Sequence, residues 1–428
     1  MSKKMGFYAV LAIVFGSQIG SGIFVLPASL APFGMFGIFG WIFAGIGAML
    51  LAFVFADLCA KFPQTGGPHA YVQHVFGRTT AFFVGWTYWL VSWTSTSVVV
   101  VSAIACLNPF LGKYQSPYAY LFLETCLLCV VTWINCKSVK FSGEIEFILT
   151  LLKFIPFVVV PAVIFQKFDI SNIRLSPQYA DYSAADLATI VASMSFWGFI
   201  GVECATAPAE AVENPSKTIP RAIIIGTLGV ALVYLINNLA IMGAIPGNLL
   251  ETSKSPYVDA INLVFGRNLS MVIAVITSLV LIGTFNAWVL TSAQISLGLA
   301  QDGLLPPFFA KKNSNGAPYV SVVISCFGMI PILILTKNEN LSEQLNYIID
   351  FSVKSFLMIY GMCCLAFIKI NLDSQKILKT IGGIAAFSFC LLIIATSSLQ
   401  SITVSLMFML SGIFMLPFAK IKEIKKIR

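Results

Sequence analysis

The chain has 428 residues, 58% of them hydrophobic and 10% charged, with a mean hydropathy of +0.89. A soluble chain carries about a quarter charged residues to solvate its surface, so an ordinary soluble enzyme domain, a nucleic-acid binder and a disordered chain are excluded. The formal net charge of +8 then concerns loops and membrane orientation rather than a polyanionic partner.

Apolar runs recur along the whole chain. They predict an all-α polytopic membrane protein with twelve transmembrane helices at roughly 6–31, 36–60, 79–107, 118–136, 143–166, 186–211, 220–246, 268–300, 318–336, 347–370, 378–396 and 399–419. Each is near the ~20 residues that a helix needs to cross a bilayer. Lys3 and Lys4 before the first run resemble the start of a signal peptide, but no clear cleavage site follows and many more spans do, so the run is read as the first transmembrane helix. The first span contains Gly16-Ser17-Gln18-Ile19-Gly20-Ser21-Gly22-Ile23-Phe24 and then Pro27. Each interior glycine costs about 1 kcal/mol relative to alanine, so a break is predicted. Between spans two and three lie His69 and His74, the only histidines, in what reads as one loop region, which argues against a His-based metal centre. Cys126 and Cys129 form a C-x-x-C pair inside the fourth span with neither a second pair nor a nearby histidine, and read as small packing residues.

The fifth span carries Lys153 about eleven residues in, near mid-bilayer and too deep to snorkel easily. A lysine there is either a proton carrier, a fixed cation or one half of a permanent pair. The sixth span contains Trp197-Gly198-Phe199-Ile200-Gly201-Val202-Glu203 and then Pro208, a second predicted break with an acid inside the span. Interrupted helices opening two five-span blocks point to a transporter site, because the freed N–H and C=O groups can hold a substrate's charged ends; close helix packing by small residues is the plainer alternative. The eighth span is expected to break near Gly283 to Asn286, and in the tenth Asp350 and Lys354 stand four apart, able to neutralise one another. Eighteen Lys and Arg fall in the segments on the N-terminal side of the membrane, including a basic 420–428 tail, against Lys113, Lys167, Arg174, Lys254, Arg267 and Lys337 on the other. That bias places both termini in the cytoplasm.

Five stretches together carry a family resemblance: Gly20 to Phe24, Trp197 to Glu203, Gly66-Gly67-x-x-Ala70-Tyr71, Glu213-Asn214-Pro215 and Asp302-Gly303-Leu304-Leu305-Pro306. Over essentially its whole length the chain resembles the amino acid–polyamine–organocation superfamily, and within it the bacterial basic amino acid/polyamine antiporters typified by arginine/agmatine exchangers. The resemblance implies a single transporter domain of the inner membrane. Its parts are an inverted repeat of five plus five helices (about 6–166 and 186–370) and two added helices (about 378–419), and it works by alternating access. It implies no cofactor, a small amino acid or amine substrate, and a homodimer.

It also implies roles. Ser21 and Gly22 would take the substrate carboxylate, and backbone carbonyls of Gln18, Trp197 and Ile200 its amino group. Trp197 would lie against the substrate stem, a cation–π arrangement, and Trp288 would line the chamber. Tyr88, Tyr71 and Glu203 match gating positions, though a lone interior tyrosine serves equally as core and an interior acid as a structural pair. Asp350 matches a position near the substrate's distal group, where a carboxylate favours a cationic side chain. Three departures stand out. Thr96 replaces an asparagine, Met358 stands at a gating tyrosine's place, and the exchangers lack a lysine at 153, whereas some proton-coupled relatives have one in place of a sodium ion. Coupling is therefore either exchange or proton symport through Lys153. A channel would need repeated charged or carbonyl rings and a membrane enzyme a convergent catalytic set; the sequence offers neither.

Overall fold

The computed structural model describes residues 4–111, 116–253, 256–335 and 341–419. The expectations stated for Lys3, Lys113, Lys254, Lys337 and the 420–428 tail lie outside the described residues. The first span is two half-helices, α1 (Phe7–Gln18) and α2 (Ser21–Leu30), followed by α3 (Met35–Lys61) and α4 (Pro68–Ala105). A short α5 (Asn108–Leu111) precedes α6 (Pro117–Lys137) and α7 (Val139–Ile164). α8 (Ala184–Phe196) opens the sixth span, and α9 (Pro215–Ala244) is the seventh. Short α10 (Gly247–Leu250) and α11 (Pro256–Phe265) lead into α12 (Arg267–Gln301). The chain ends in α13 (Tyr319–Phe327), α14 (Ile330–Leu335), α15 (Leu341–Asp373), α16 (Ile377–Ala395) and α17 (Leu399–Leu410). Among the described residues, ten segments are long and apolar enough to cross a membrane, and the expected ninth and twelfth spans are shorter apolar stretches, Tyr319–Leu335 and Leu399–Phe414. The all-α polytopic architecture read from the sequence is borne out.

Two local expectations are corrected. The third helix begins at Pro68, not near residue 79, so His69, Tyr71 and His74 sit on a helix rather than in a loop. Proline at the first helical position is pre-organised for the turn, and the chain re-aims at Gly77, whose φ of +83° only glycine adopts freely. The polar residues of that leading segment dilute its hydropathy, which hid it. The eighth span does not break: α12 is continuous. Gly283 is small for another reason, since a Cβ there would lie 3.0 Å from the Leu149 Cβ and 3.1 Å from Cε of Lys153. The sixth span is helical only to Phe196 and continues in short 3-10 turns, Trp197–Phe199, Cys204–Thr206 and Ala209–Ala211.

The two breaks meet in the middle of the bundle. Ser17 donates to the Gly201 carbonyl at 3.1 Å. Gly201 takes φ +106°, and a Cβ there would be 3.0 Å from that of Ser17. Trp41 of α3 stacks on Tyr234 of α9 at 4.4 Å, and both rings would stand 2.9 Å from a Cβ at Gly198. The second break is thus pressed against the packed pair α3 and α9. At one end of the molecule Met5 pairs with Val212, its N–H reaching the Ala211 carbonyl at 2.8 Å and its carbonyl accepting from the Glu213 N–H at 2.9 Å. At the other end the loop after α7 folds over the α2–α3 turn, with Ser176 donating to the Pro32 carbonyl at 2.8 Å.

Candidate functional site

Where α1 stops at Gln18, its last carbonyls lose their helical partners, and where α2 starts at Ser21 its first N–H groups have none, with no side chain capping them. The same gap therefore offers acceptors and donors within a few residues, with the two half-helix dipoles reinforcing each. A cavity of about 20 Å³ lies at this point. Gln18, Ser21, Gly22, Thr96, Trp197, Ile200 and Trp288 all line it. Its space suffices for a water molecule, so a larger guest requires the walls to part. Above it, toward the end where α2 finishes, lies a wider cavity of about 240 Å³ lined by Val25, Leu26 and Ser29 of α2, Ser193 of α8, and Asp350 and Val353 of α15. Ser21, Gly22 and Trp197 border both, so the Trp197 ring is the partition. Its indole N–H donates to the Ser21 hydroxyl at 3.3 Å, while that of Trp288 donates to the Ser17 carbonyl at 3.0 Å. The Gln18 carbonyl accepts from the Tyr234 hydroxyl at 2.9 Å and keeps one lone pair free. The Thr96 hydroxyl is turned back on its own helix, onto the Ser92 carbonyl.

A buried ionisable group attends each break. Lys153 is 1% exposed, and its ammonium donates to the Gly16 carbonyl at 3.0 Å, the Thr284 hydroxyl at 3.1 Å and the Ile19 carbonyl at 3.4 Å. A cation is thus set on the C-terminal end of α1, where the dipole favours it. Glu203, wholly buried, precedes the Cys204–Thr206 turn in the second break. The Tyr360 hydroxyl donates to its Oε2 and accepts from the Gly201 N–H at 3.3 Å. Tyr88, also buried, lies beside Glu203 with its ring 6.0 Å from that of Phe356.

Two half-helices end to end, a second interrupted span beside them and a cavity lined by serine, threonine and tryptophan side chains between describe a membrane transporter. The sequence profile described as amino acid permease matches residues 5–419. The chain belongs to this family. Among its curated relatives, a cadaverine/lysine antiporter of Escherichia coli K12 is 26% identical over 98% of this chain and 95% of its own. A putative arginine/ornithine antiporter of Bacillus subtilis is 26% identical over 98% of each chain. A putrescine transporter of Haemophilus influenzae is 28% identical over 84% of this chain and 82% of its own. The resemblance read from the five motifs, including the basic amino acid/polyamine antiporter branch, is borne out.

Not every residue singled out in this permease converges on the cavity. Asp350 lines only the wider one, where it bonds Lys354 of its own helix and Ser401 of α17. Lys354 reaches on to the Ser193 hydroxyl at 3.1 Å. The structure pairs Asp350 with Lys354, the neutralisation that their four-residue spacing on a helix allows. Tyr71 is wholly buried beside Thr206 and Cys59, remote from the cavity lining. Two residues escaped the sequence reading. The hydroxyl on Glu203 comes from Tyr360, two positions beyond Met358 and so about 200° round the helix. Glu146 lies 3.7 Å from the Lys153 ammonium, 0% exposed. Its signal was present, because positions seven apart in one span share a helix face.

Proposed function

We propose that the chain is a bacterial inner-membrane antiporter that exchanges a cationic amino acid for a related amine by alternating access around the two breaks. The observation that carries this reading is the cavity of about 20 Å³ between Ser21, Gly22, Trp197 and Ile200, where α1 ends and α2 begins. In this scheme the N–H groups at Ser21 and Gly22 bind the substrate carboxylate, as a helix N-terminus binds anions. Carbonyls of Gln18, Trp197 and Ile200 take its amino group, and Trp197 and Trp288 flank its stem. Thr96 contributes a hydroxyl oxygen. Tyr71, Tyr88 and Glu203 belong to the seal on the Met5 side. With both termini cytoplasmic, that seal is the inner gate and the wider cavity the outer vestibule. The two blocks, about 6–166 and 186–370, are the halves of an inverted repeat, and the protein works as a homodimer. The names of the relatives, for putrescine, cadaverine and lysine, and arginine and ornithine, support a cationic cargo.

The ammonium at the first break favours a second reading, proton symport with Lys153 as carrier. One experiment separates the two. Labelled arginine or lysine is offered to proteoliposomes, one set preloaded with the unlabelled compound or its amine, the other empty with acid outside. Uptake confined to preloaded vesicles supports exchange. Concentrative uptake into the empty set overturns it in favour of symport. Uptake in neither set rejects both amino acids as cargo.

A further inference from the structure

Lys153 and Glu146 are the most deeply buried pair of opposite charges among the described residues. An ammonium has three donors, and the Gly16 carbonyl, the Thr284 hydroxyl and the Ile19 carbonyl occupy them. The Glu146 carboxylate, at 3.7 Å, is outside ordinary hydrogen-bond range. Its action on Lys153 is therefore one of charge. The carboxylate is itself held in place. The Thr150 hydroxyl donates to Oε1 at 3.2 Å, and the Asn286 amide donates to Oε2 at 3.1 Å. Asn286 is oriented in turn by the Asn135 amide, which donates to its oxygen at 2.9 Å. The α1 backbone comes directly against this carboxylate, because a Cβ at Gly16 would stand 2.1 Å from Oε1. Thus α1, α7 and α12 meet at one carboxylate, with α6 one hydrogen bond further out. Neither charged residue lines the cavity, but Thr284 both lines it and holds the ammonium.

We infer that Glu146 is a positioning residue of the transport cycle: it supplies the counter-charge of Lys153, so that the pair clamps the first break to α7 and α12 as one net-neutral unit. A lone charge at this depth is costly, and removing one partner of a buried pair costs more than removing both. The ammonium then stays in place through the cycle as a fixed cation at the end of α1. This inference rests on the exchange reading above.

The test measures exchange of labelled arginine and of labelled lysine by the full chain in proteoliposomes, for the wild type, E146Q, E146D, K153M and E146Q/K153M. E146Q keeps shape and an acceptor but deletes the charge, and is expected to lower kcat at least tenfold with KM within twofold. E146D, which keeps the charge, retains a third or more of the wild-type rate. E146Q/K153M, with no unbalanced charge left, recovers at least threefold over E146Q. If E146Q is recovered only as aggregate, a monodisperse double variant supports the inference and an aggregated one overturns it. E146Q within twofold of wild type, or a double variant no better than the worse single one, also overturns it. Should the wild type exchange neither amino acid, the exchange reading has failed and takes this inference with it. A wild type that exchanges beside an unaffected E146Q sinks the inference alone.

Discussion

The two breaks solve the same problem with opposite chemistry. In the first, carbonyls at the end of α1 face inward and a cation satisfies them: Lys153 reaches in from α7 and touches Gly16 and Ile19. In the second, a buried carboxyl group stands at the start of a 3-10 turn, and its bonded partner is a neutral hydroxyl, that of Tyr360. The cation sits where the dipole of α1 favours it, at a helix C-terminus. The first break is shortened to Ile19 and Gly20 between two regular helices, whereas the second winds through three short turns. A break held by an ion pair depends on charge. One held by hydroxyls and a left-handed glycine depends on backbone freedom and one hydrogen bond.

Substitutions can break this contrast at either end. The largest effect is expected from Gly201→Val, because φ +106° and the 3.0 Å approach to Ser17 exclude a branched side chain. Exchange is expected to drop by up to about 100-fold, at a strain of roughly 1–3 kcal/mol, and an unaltered rate in proteoliposomes would show that the second break does not need this backbone. Gly16→Ala tests the first break. Its methyl group would displace the Glu146 carboxylate, and about a tenfold loss of kcat is expected, the 1.4 kcal/mol equivalent of a weakened buried contact. If Gly16→Ala exchanged at the wild-type rate, the first break would not depend on close approach to that charge.

Tyr360→Phe removes the hydroxyl from Glu203 and Gly201. A buried hydrogen bond contributes about 0.5–1.5 kcal/mol net, so exchange should fall by up to roughly tenfold with the protein still folded; kinetics matching wild type would make the hydroxyl dispensable. The smallest effect is expected away from both breaks. Asp57 of α3 bonds Lys61 at 2.8 Å and Lys379 of α16. Asp57→Asn should cost about 1 kcal/mol of stability, as partly exposed pairs do, and leave exchange within twofold. A larger fall in transport, measured beside the thermal midpoint, would mean that α16 takes part in the cycle.

Much of this was legible in the residues. Gly16 to Gly22 and Gly198 to Gly201, in the first spans of the two five-span blocks, pointed to both breaks, and seven of the residues read as substrate-binding do line one cavity. Asp350 was legible as a pair with Lys354 but not as a member of the outer cavity. Tyr71 was placed in a loop because hydropathy does not register a polar helix that turns at Gly77. Gly283 looked like a third break, and is instead the space into which Lys153 fits.

The sequence by itself determined the class of molecule, the number and order of its apolar segments, the two interruptions and the unusual lysine. These follow from local composition and from periodicity, which depend only on neighbours along the chain. Only the tertiary structure decided which groups answer one another: Glu146 for Lys153, Tyr360 for Glu203, Ser401 for Asp350, and Trp197 as the partition between two cavities. Such pairings depend on how separate helices are rotated and stacked. A buried charge in a low-dielectric interior must find its partner across space, wherever along the chain that partner lies.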